Sequence, residues 1–497
     1  MNRAGDFSLM DKKQSVITNF IWRLLERGGT YVVNFVVSVV LARLLAPSLY
    51  GSIALVTAIT SILQVFVDSG MANSLIQKKD TDDLDYSSVF YFNLVFCLIL
   101  YLGLFLAAPL IGRIYHDMSL VPVVRVLGLT IVVSGVKNVQ QAYVAKTMQF
   151  RRFFFSTLGG TILSAVVGIT MAYKGYGIWA LVMQQVLNAA VNTAILWLTV
   201  GWKPRPIFSL ERLKGLVSYG WKILVSGLLD TVYLKLYQLV VGLRYTEADL
   251  AFYNKADQMP LLLVENINNS IDSVLLPVLS AEQDSRSSVR AMTQRAIKTS
   301  SYIMMPLMAG LAVCAEPLIR LLLTEKWLPC VPYMRIFCIV YAFYPLHTAN
   351  LSAIKAMGRS DIFLKLELLK ELVSIVLLLI TMRYGVYAIA LGLLVSSVAS
   401  QIINSWPNRK LLGYTYPQQL RDMAPAILLS LVMAACVWLV SKLGLSDLVT
   451  LLIQVPLGAV LYVGVSAALK LESFSFLLEV IRKLRHRGAD AGDGEPA

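Results

Sequence analysis

Apolar runs long enough to cross a ~30 Å hydrocarbon core as helices recur from Ile17 almost to the end of this 497-residue chain. No other feature limits the fold as strongly. In a bilayer each backbone N–H and C=O must find its partner within the protein, so only helices or closed barrels can span it. Runs of about twenty residues without strict two-residue alternation select helices. Charged residues make up 15% of the chain, where soluble proteins carry about 25%. A water-soluble fold of this size would lack polar surface. The chain reads as an all-α polytopic membrane protein.

The windows place about fourteen spans, at 17–45, 50–76, 88–112, 122–146, 153–173, 178–200, 216–242, 250–279, 296–323, 329–356, 361–384, 386–406, 423–441 and 447–470. The second and eighth carry the most internal polar groups. The polar segment 1–16 does not read as a cleavable signal, because the first apolar run is too long for one. The five cysteines, Cys97, Cys314, Cys330, Cys338 and Cys436, lie singly in or beside apolar runs. They read as small buried hydrophobes; neither a disulfide framework nor a metal site is expected, and no cofactor.

Fourteen spans put both termini on one side, and positive charge indicates which. With the N-terminus cytoplasmic, 26 Lys and Arg fall on the cytoplasmic side and 8 on the other, as the positive-inside rule requires. The net charge of +14 is thus a topological signal, and no nucleic-acid partner is expected. The external connections are short, with no room for a folded domain. Residues 201–215 (GWKPRPIFSLERLKG) hold two prolines and four basic residues and read as a connector between two halves. Around it the organisation is a first lobe over 1–200 (six helices), a second over 216–408 (six more), and two extra helices in 409–470. A basic tail over 471–497 starts as an amphipathic stretch, and its end, RHRGADAGDGEPA, reads as disordered. The halves resemble each other weakly. Trp22-Arg23 and Trp221-Lys222 open corresponding helices, and LARLLAPSLYGSIAL (41–55) parallels GLRYTEADLAFYNKA (242–256). Such a repeat is common among alternating-access carriers.

Polar groups inside the spans carry the functional signal. On the first helix Arg23, Glu26, Arg27, Thr30 and Asn34 recur at three- and four-residue steps and share a face. The seventh has Lys222, Asp230, Tyr233 and Tyr237 in a similar stripe, with Lys235 beside it; the eighth has Glu265, Asn269 and Asp272, with Asp257 adjoining; the fourth has Lys137. A charge at the bilayer centre costs about 2.5–3.5 kcal/mol on insertion scales. Arg27, Lys137, Asp230 and Glu265 therefore have to face one another or a wet interior, and a hydrated, charged cavity is expected. Structural pairing competes with ligand binding: Arg23 with Glu26, or Asp230 with Lys235, can neutralise each other. Asp68, Arg125, Glu316 and Arg335 lie near span ends, where long side chains reach the interface.

Several segments are similar to one family. LARLLAPSLYGSIAL followed by VDSGMANSLIQKKD (67–80), the connector KPRPIFSLERLKGLVSYGWKILVSGLLD (203–230), EKWLPCVPYMRIFCI (325–339) and AIKAMGRSD (353–361) resemble the polysaccharide transporter family, most closely its WzxC-like, colanic-acid-exporter branch. The resemblance runs over nearly the whole chain in order. It implies the multidrug/oligosaccharidyl-lipid/polysaccharide flippase fold, two six-helix lobes in a V with two added helices. It also implies a bacterial inner-membrane location and a cargo of undecaprenyl-diphosphate-linked sugar repeat units, with cavity cations meeting the diphosphate. Pathway glycosyltransferases and a polymerase are the protein partners it implies. No short motif transfers individual site residues.

On that reading Arg23, Arg27, Lys222 and Lys235 hold the diphosphate, with Lys137 adding charge. Thr30, Asn34, Asn269, Tyr233 and Tyr237 meet the sugars. Glu26, Asp230, Asp257, Glu265 and Asp272 are candidates for proton or sodium coupling, or for internal pairing. Lipid-linked peptidoglycan precursor is a second candidate cargo, which the motifs fit less well than the exopolysaccharide one, and two further alternatives stay open. A cation-coupled drug exporter of the same superfamily would need a more acidic, aromatic cavity. A membrane polymerase needs a large external loop, and an acyltransferase needs an intramembrane histidine with an acidic neighbour, for which His347 is the one candidate.

Overall fold

The computed structural model describes residues 3–68 and 71–490, and among them every regular element is helical. α1 (Arg3–Leu44), α2 (Pro47–Asp68), the short α3 (Met71–Gln77), α4 (Asp83–Ile114), α5 (Leu120–Lys146), α6 (Phe150–Tyr173) and α7 (Ile178–Thr199) cover the first six expected spans. α8 (Leu210–Arg244), α9 (Glu247–Ala281), α10 (Arg286–Leu323), the pair α11 (Val331–Ala342) and α12 (Tyr344–Ala356), α13 (Ser360–Thr381) and α14 (Val386–Leu411) cover the next six. α15 (Tyr416–Val440) and α16 (Asp447–Ala468) are the last two spans, and α17 (Glu472–Asp490) follows them. Among the described residues, 12 stretches are long and apolar enough to cross a membrane. α9 and α13 are absent from that set, α9 for its charges and amides, among them Glu265, Asn266, Asn268, Asn269 and Asp272, and α13 for its charges, Asp361, Lys365, Glu367, Lys370 and Glu371.

Three local departures have plain causes. The second span is followed by a separate helix, α3, with Ser69 and Gly70 outside the described residues. The tenth span, expected as one helix, breaks at Phe343. Pro345 has no N–H to donate into the preceding turn and restricts the residue before it. At the far end α17 runs through Asp490, so Arg485–Asp490, expected to be disordered, is helical; residues 491–497 lie outside the described residues.

By its internal packing the chain divides into two compact units, Met1–Ala251 and Phe252–Ala497. In the first, α6 packs on α1 and α7, α5 on α2, α4 and α7, and α8 on α2, α3 and α4. Small residues allow the close approaches: a Cβ on Gly135 of α5 would stand 2.5 Å from Cys97 Sγ of α4, the kind of approach that stabilises membrane helix pairs. Gly51 of α2 is tighter still, since a Cβ there would fall 1.7 Å from the carbonyl oxygen of Glu247. In the second unit α10 packs on α11, α12, α15 and α16, and α14 on α11, α12 and α13.

The connector is strapped to the first unit. Trp202 is buried among Tyr86, Tyr143, Leu196 and Leu213 and donates its indole N–H to Asp83 Oδ1 at 3.2 Å. Arg205 Nη1 lies 3.0 Å from Asp83 Oδ2. The backbone N–H groups of Arg205 and Ser209 donate to the hydroxyls of Ser87 and Ser88 at 3.0 and 2.9 Å. Asp85 is fully buried; Lys78 Nζ reaches its Oδ2 at 2.5 Å, and Arg212 Nη1 stands 3.7 Å from its Oδ1. Asp82 caps α4, with Asp82 and Asp85 each accepting from the other's backbone N–H. That N–H from Asp85, together with the Arg212 and Lys78 charges, holds the Asp82 carboxyl below its ordinary value against some desolvation.

Candidate functional site

A polar hollow of about 640 Å³ lies inside the first unit, walled by α1, α2, α3, α5, α6 and α7. Arg23 and Glu26 enter it from α1, and Ser134, Lys137, Asn138 and Gln141 from α5. Gln64 of α2, Thr157 of α6 and Asn192 of α7 complete the polar lining, with Phe150 and Phe153 of α6 as an aromatic wall. The three- and four-residue spacing of helices explains the grouping: Ser134, Lys137, Asn138 and Gln141 follow one another on one face of α5.

Arg23 is held on two sides. Its Nη1 lies 2.7 Å from Glu26 Oε2, and its guanidinium carbon stands 5.3 Å from the Phe153 ring centroid and 5.7 Å from that of Phe150. The aromatic faces orient the guanidinium as a cation. Glu26 is 8% exposed. The pairing foreseen for Arg23 and Glu26 is therefore present, and inside the cavity. Asn138 donates its amide to the carbonyl of Val67 at 2.9 Å, pinning the end of α2 to α5. The Oδ1 of Asn192 is buried with no hydrogen-bond partner among the described residues. Such an acceptor is costly to bury unless a ligand or water supplies a donor.

The other residues expected from sequence lie elsewhere. Arg27 and Asn34 of α1 are exposed and Thr30 half-buried, and none of them lines this cavity. On α8, Asp230 is exposed, Tyr233 and Lys235 are half-buried and Tyr237 is buried. The side chain of Lys222 lies outside the described residues. On α9, Glu265 and Asn269 are exposed, whereas Asp257 and Asp272 are engaged within the second unit. Tyr341 Oη donates to Asp257 Oδ1 at 2.5 Å, and Ser352 Oγ to Asp272 Oδ1 at 2.6 Å. Thr348 Oγ1 meets Asn268 Oδ1 at 2.5 Å between them. Asn268 and Asp272 on α9 face Thr348 and Ser352 on α12, a ladder of matched four-residue steps. Pairing describes Asp257 and Asp272 in this structure.

Sequence reasoning missed the amides and the aromatic wall of the cavity. Asn138 and Gln141 were legible as a stripe with Lys137; Gln64 shares a face with Thr57, Thr60 and Ser61 of α2, and Asn192 with Gln185 and Asn188 of α7, patterns of neutral groups that sequence reasoning passed over. Among the described residues His347 is bonded to an amide and not to an acid: its Nδ1 lies 3.0 Å from Asn404 Nδ2. The five cysteines stand as thiols outside any disulfide, and the described residues hold no group of metal-ligating side chains.

A chain of many membrane-crossing helices, folded as two units with a charged hollow in the first, is a polytopic membrane protein of the flippase and multidrug-exporter fold class. The solved lipid II flippase MurJ in its inward closed conformation matches it with a TM-score of 0.74 at 15% identity, over 90% of this chain and 98% of that one. An inward-facing multidrug resistance transporter of the MATE family matches with a TM-score of 0.59 at 14% identity, over 80% and 95%. More particularly, residues 40–332 match the family of polysaccharide biosynthesis proteins, and the chain belongs to that family. Among its relatives are the succinoglycan biosynthesis transport protein ExoT of Rhizobium meliloti, 22% identical over 97% of this chain and 99% of ExoT. The lipopolysaccharide biosynthesis protein WzxC of Escherichia coli is 24% identical over 85% and 87%.

Proposed function

We propose that this protein is a flippase of the bacterial inner membrane, with both termini cytoplasmic, carrying a diphosphate-prenyl-linked oligosaccharide from the inner to the outer leaflet by alternating access. The observation that carries the reading is the cavity of the first unit, where Arg23 and Lys137 stand among amides and aromatic rings. A sugar head group moved through hydrocarbon would lose its water partners at a cost of several kcal/mol per group. A polar hollow replaces those partners. The amides of Gln64, Gln141 and Asn192 offer donors and acceptors for hydroxyls, and Phe150 and Phe153 offer a face for a sugar ring.

The diphosphate is the natural partner of the cations. Arg23 presents a planar fork suited to phosphate oxygens and Lys137 a point charge. Glu26 holds Arg23 until an anion arrives and is the internal counter-charge it exchanges. Arg27, Lys222, Lys235, Thr30, Asn34, Asn269, Tyr233 and Tyr237 complete the binding set in this proposal, and Asp230 and Glu265 are the candidates for proton or sodium coupling. The prenyl tail stays in lipid. The pathway's glycosyltransferases and polymerase are the expected neighbours. A drug exporter of the same fold is disfavoured by the cations of the cavity, and an acyltransferase by the neutral amide beside His347. The test is a deletion strain scored for inner-leaflet build-up of lipid-linked repeat units. Rescue by this protein supports the proposal, and continued build-up despite membrane-inserted protein refutes it.

A further inference from the structure

We infer that α17 is an interfacial helix whose basic and apolar faces dock on the anionic phospholipid headgroups of the leaflet beside it. The starting point is its register. α17 follows α16 after the short turn Leu469–Leu471, in which Lys470 takes a positive φ of 50°. The helix thus starts where a membrane-crossing helix ends. Phe474, Leu477, Leu478, Ile481 and Leu484 fall on one side by helical spacing, and Glu472, Ser475, Glu479 and Lys483 on the opposite side.

The structure settles which side the protein itself uses. Glu472, Ser475, Phe476 and Glu479 line a pocket of about 230 Å³ against Arg295 and Lys298 of α10. Lys298 Nζ lies 2.8 Å from Glu472 Oε2, and the Arg295 guanidinium stands 5.3 Å from the Phe476 ring centroid. α17 is therefore pinned to α10 by its polar side, and the start of the apolar stripe lies away from that contact, half-buried at Phe474 and Leu477 and 37% exposed at Leu478. An apolar stripe turned away from the protein's own contact, on a helix adjoining a membrane span, fits a lipid surface.

Charge complementarity selects the lipid. Glu479 is matched by Lys483 at 2.6 Å and Glu472 by Lys298. Arg482, Arg485 and Arg487 add to the cations of this stretch without further acids before Asp490. A basic amphipathic helix of this kind binds where anionic headgroups lie, by burial of the apolar face and attraction of the basic one.

The test uses the full chain in nanodiscs of phosphatidylcholine alone or mixed with phosphatidylglycerol, followed by amide hydrogen exchange over 472–490. Exchange should slow when phosphatidylglycerol is present, by roughly fivefold for each Lys or Arg that reaches the surface. The double variant Arg482→Glu, Arg487→Glu should lose that slowing, and Leu478→Asp should speed exchange in both lipids. Unchanged exchange in α10 and α16 serves as the check that each variant is folded. Equal exchange of the wild-type protein in the two lipids overturns the inference, and it does so without any variant. Retained slowing in the charge-reversed variant also overturns it, as would protection that appears only when a soluble protein is added.

Discussion

Replacing Asp85 by alanine should loosen the strap that holds the connector on the first unit. The carboxylate is fully buried, with Lys78 at 2.5 Å and Arg212 at 3.7 Å, and it accepts the Asp82 backbone N–H at 3.3 Å. Breaking a buried pair costs about 3–5 kcal/mol when the orphaned partner stays buried. Here the side chains of Lys78 and Arg212 are 31% and 45% exposed and regain water when released. The attraction to Arg212 is Coulombic rather than a hydrogen bond. The expected loss is therefore lower, about 2–3 kcal/mol. At about 2–4 °C per kcal/mol for a unit of this size, melting in detergent should fall by roughly 4–12 °C. Asp85→Asn, which keeps volume and an acceptor, should lose less. An Asp85→Ala protein melting within about 1 °C of wild type would refute the reasoning, because the buried carboxylate would then contribute nothing to the strap.

Asp82→Ala removes the cap of α4 and should cost about 1 kcal/mol, read as a lower melting temperature at neutral pH. The same variant carries a pH signature. The folded carboxyl titrates below its ordinary value, so its contribution is present above the unfolded value of ~3.9 and is lost as pH falls through the folded one. The variant's deficit should therefore shrink below about pH 4; a deficit that stays constant on acidification contradicts the assignment. Gly51→Ala should destabilise by about 1–3 kcal/mol or more, because its Cβ would sit 1.7 Å from a backbone oxygen that cannot rotate away. Gly103→Ala, with nothing within 4 Å of the added atom, should be neutral or slightly stabilising in the same melting assay.

The helical architecture was legible because span length and the cost of unpaired backbone in lipid act on each segment separately. What escaped the sequence depends on neighbours. The break at Phe343 needed the proline two residues on to be weighed above an unbroken apolar run. On α9 the partners of Asp257 and Asp272 are hydroxyls of α11 and α12, some eighty residues away in the chain. In the cavity, Arg23 and Glu26 were singled out by charge and a shared helix face, and Lys137 by charge. Arg27, one turn on, shares the stripe with Arg23 by spacing but lies outside the hollow, which the adjacent Glu26 enters. Gln64 and Asn192 come from helices far apart in the chain, and only packing reveals that they face a common space.

The most direct test of the account is leaflet-resolved measurement of lipid-linked repeat units in a deletion strain carrying wild-type protein or the Arg23→Ala, Lys137→Ala double variant. Removing each charge-assisted hydrogen bond to the diphosphate should weaken headgroup binding by about 1.5–3 kcal/mol. The account predicts that wild type clears the inner leaflet while the variant, inserted in equal amount, leaves the build-up near the level of the deletion. Full clearance by the variant would contradict the claim that the charged cavity of the first unit receives the diphosphate.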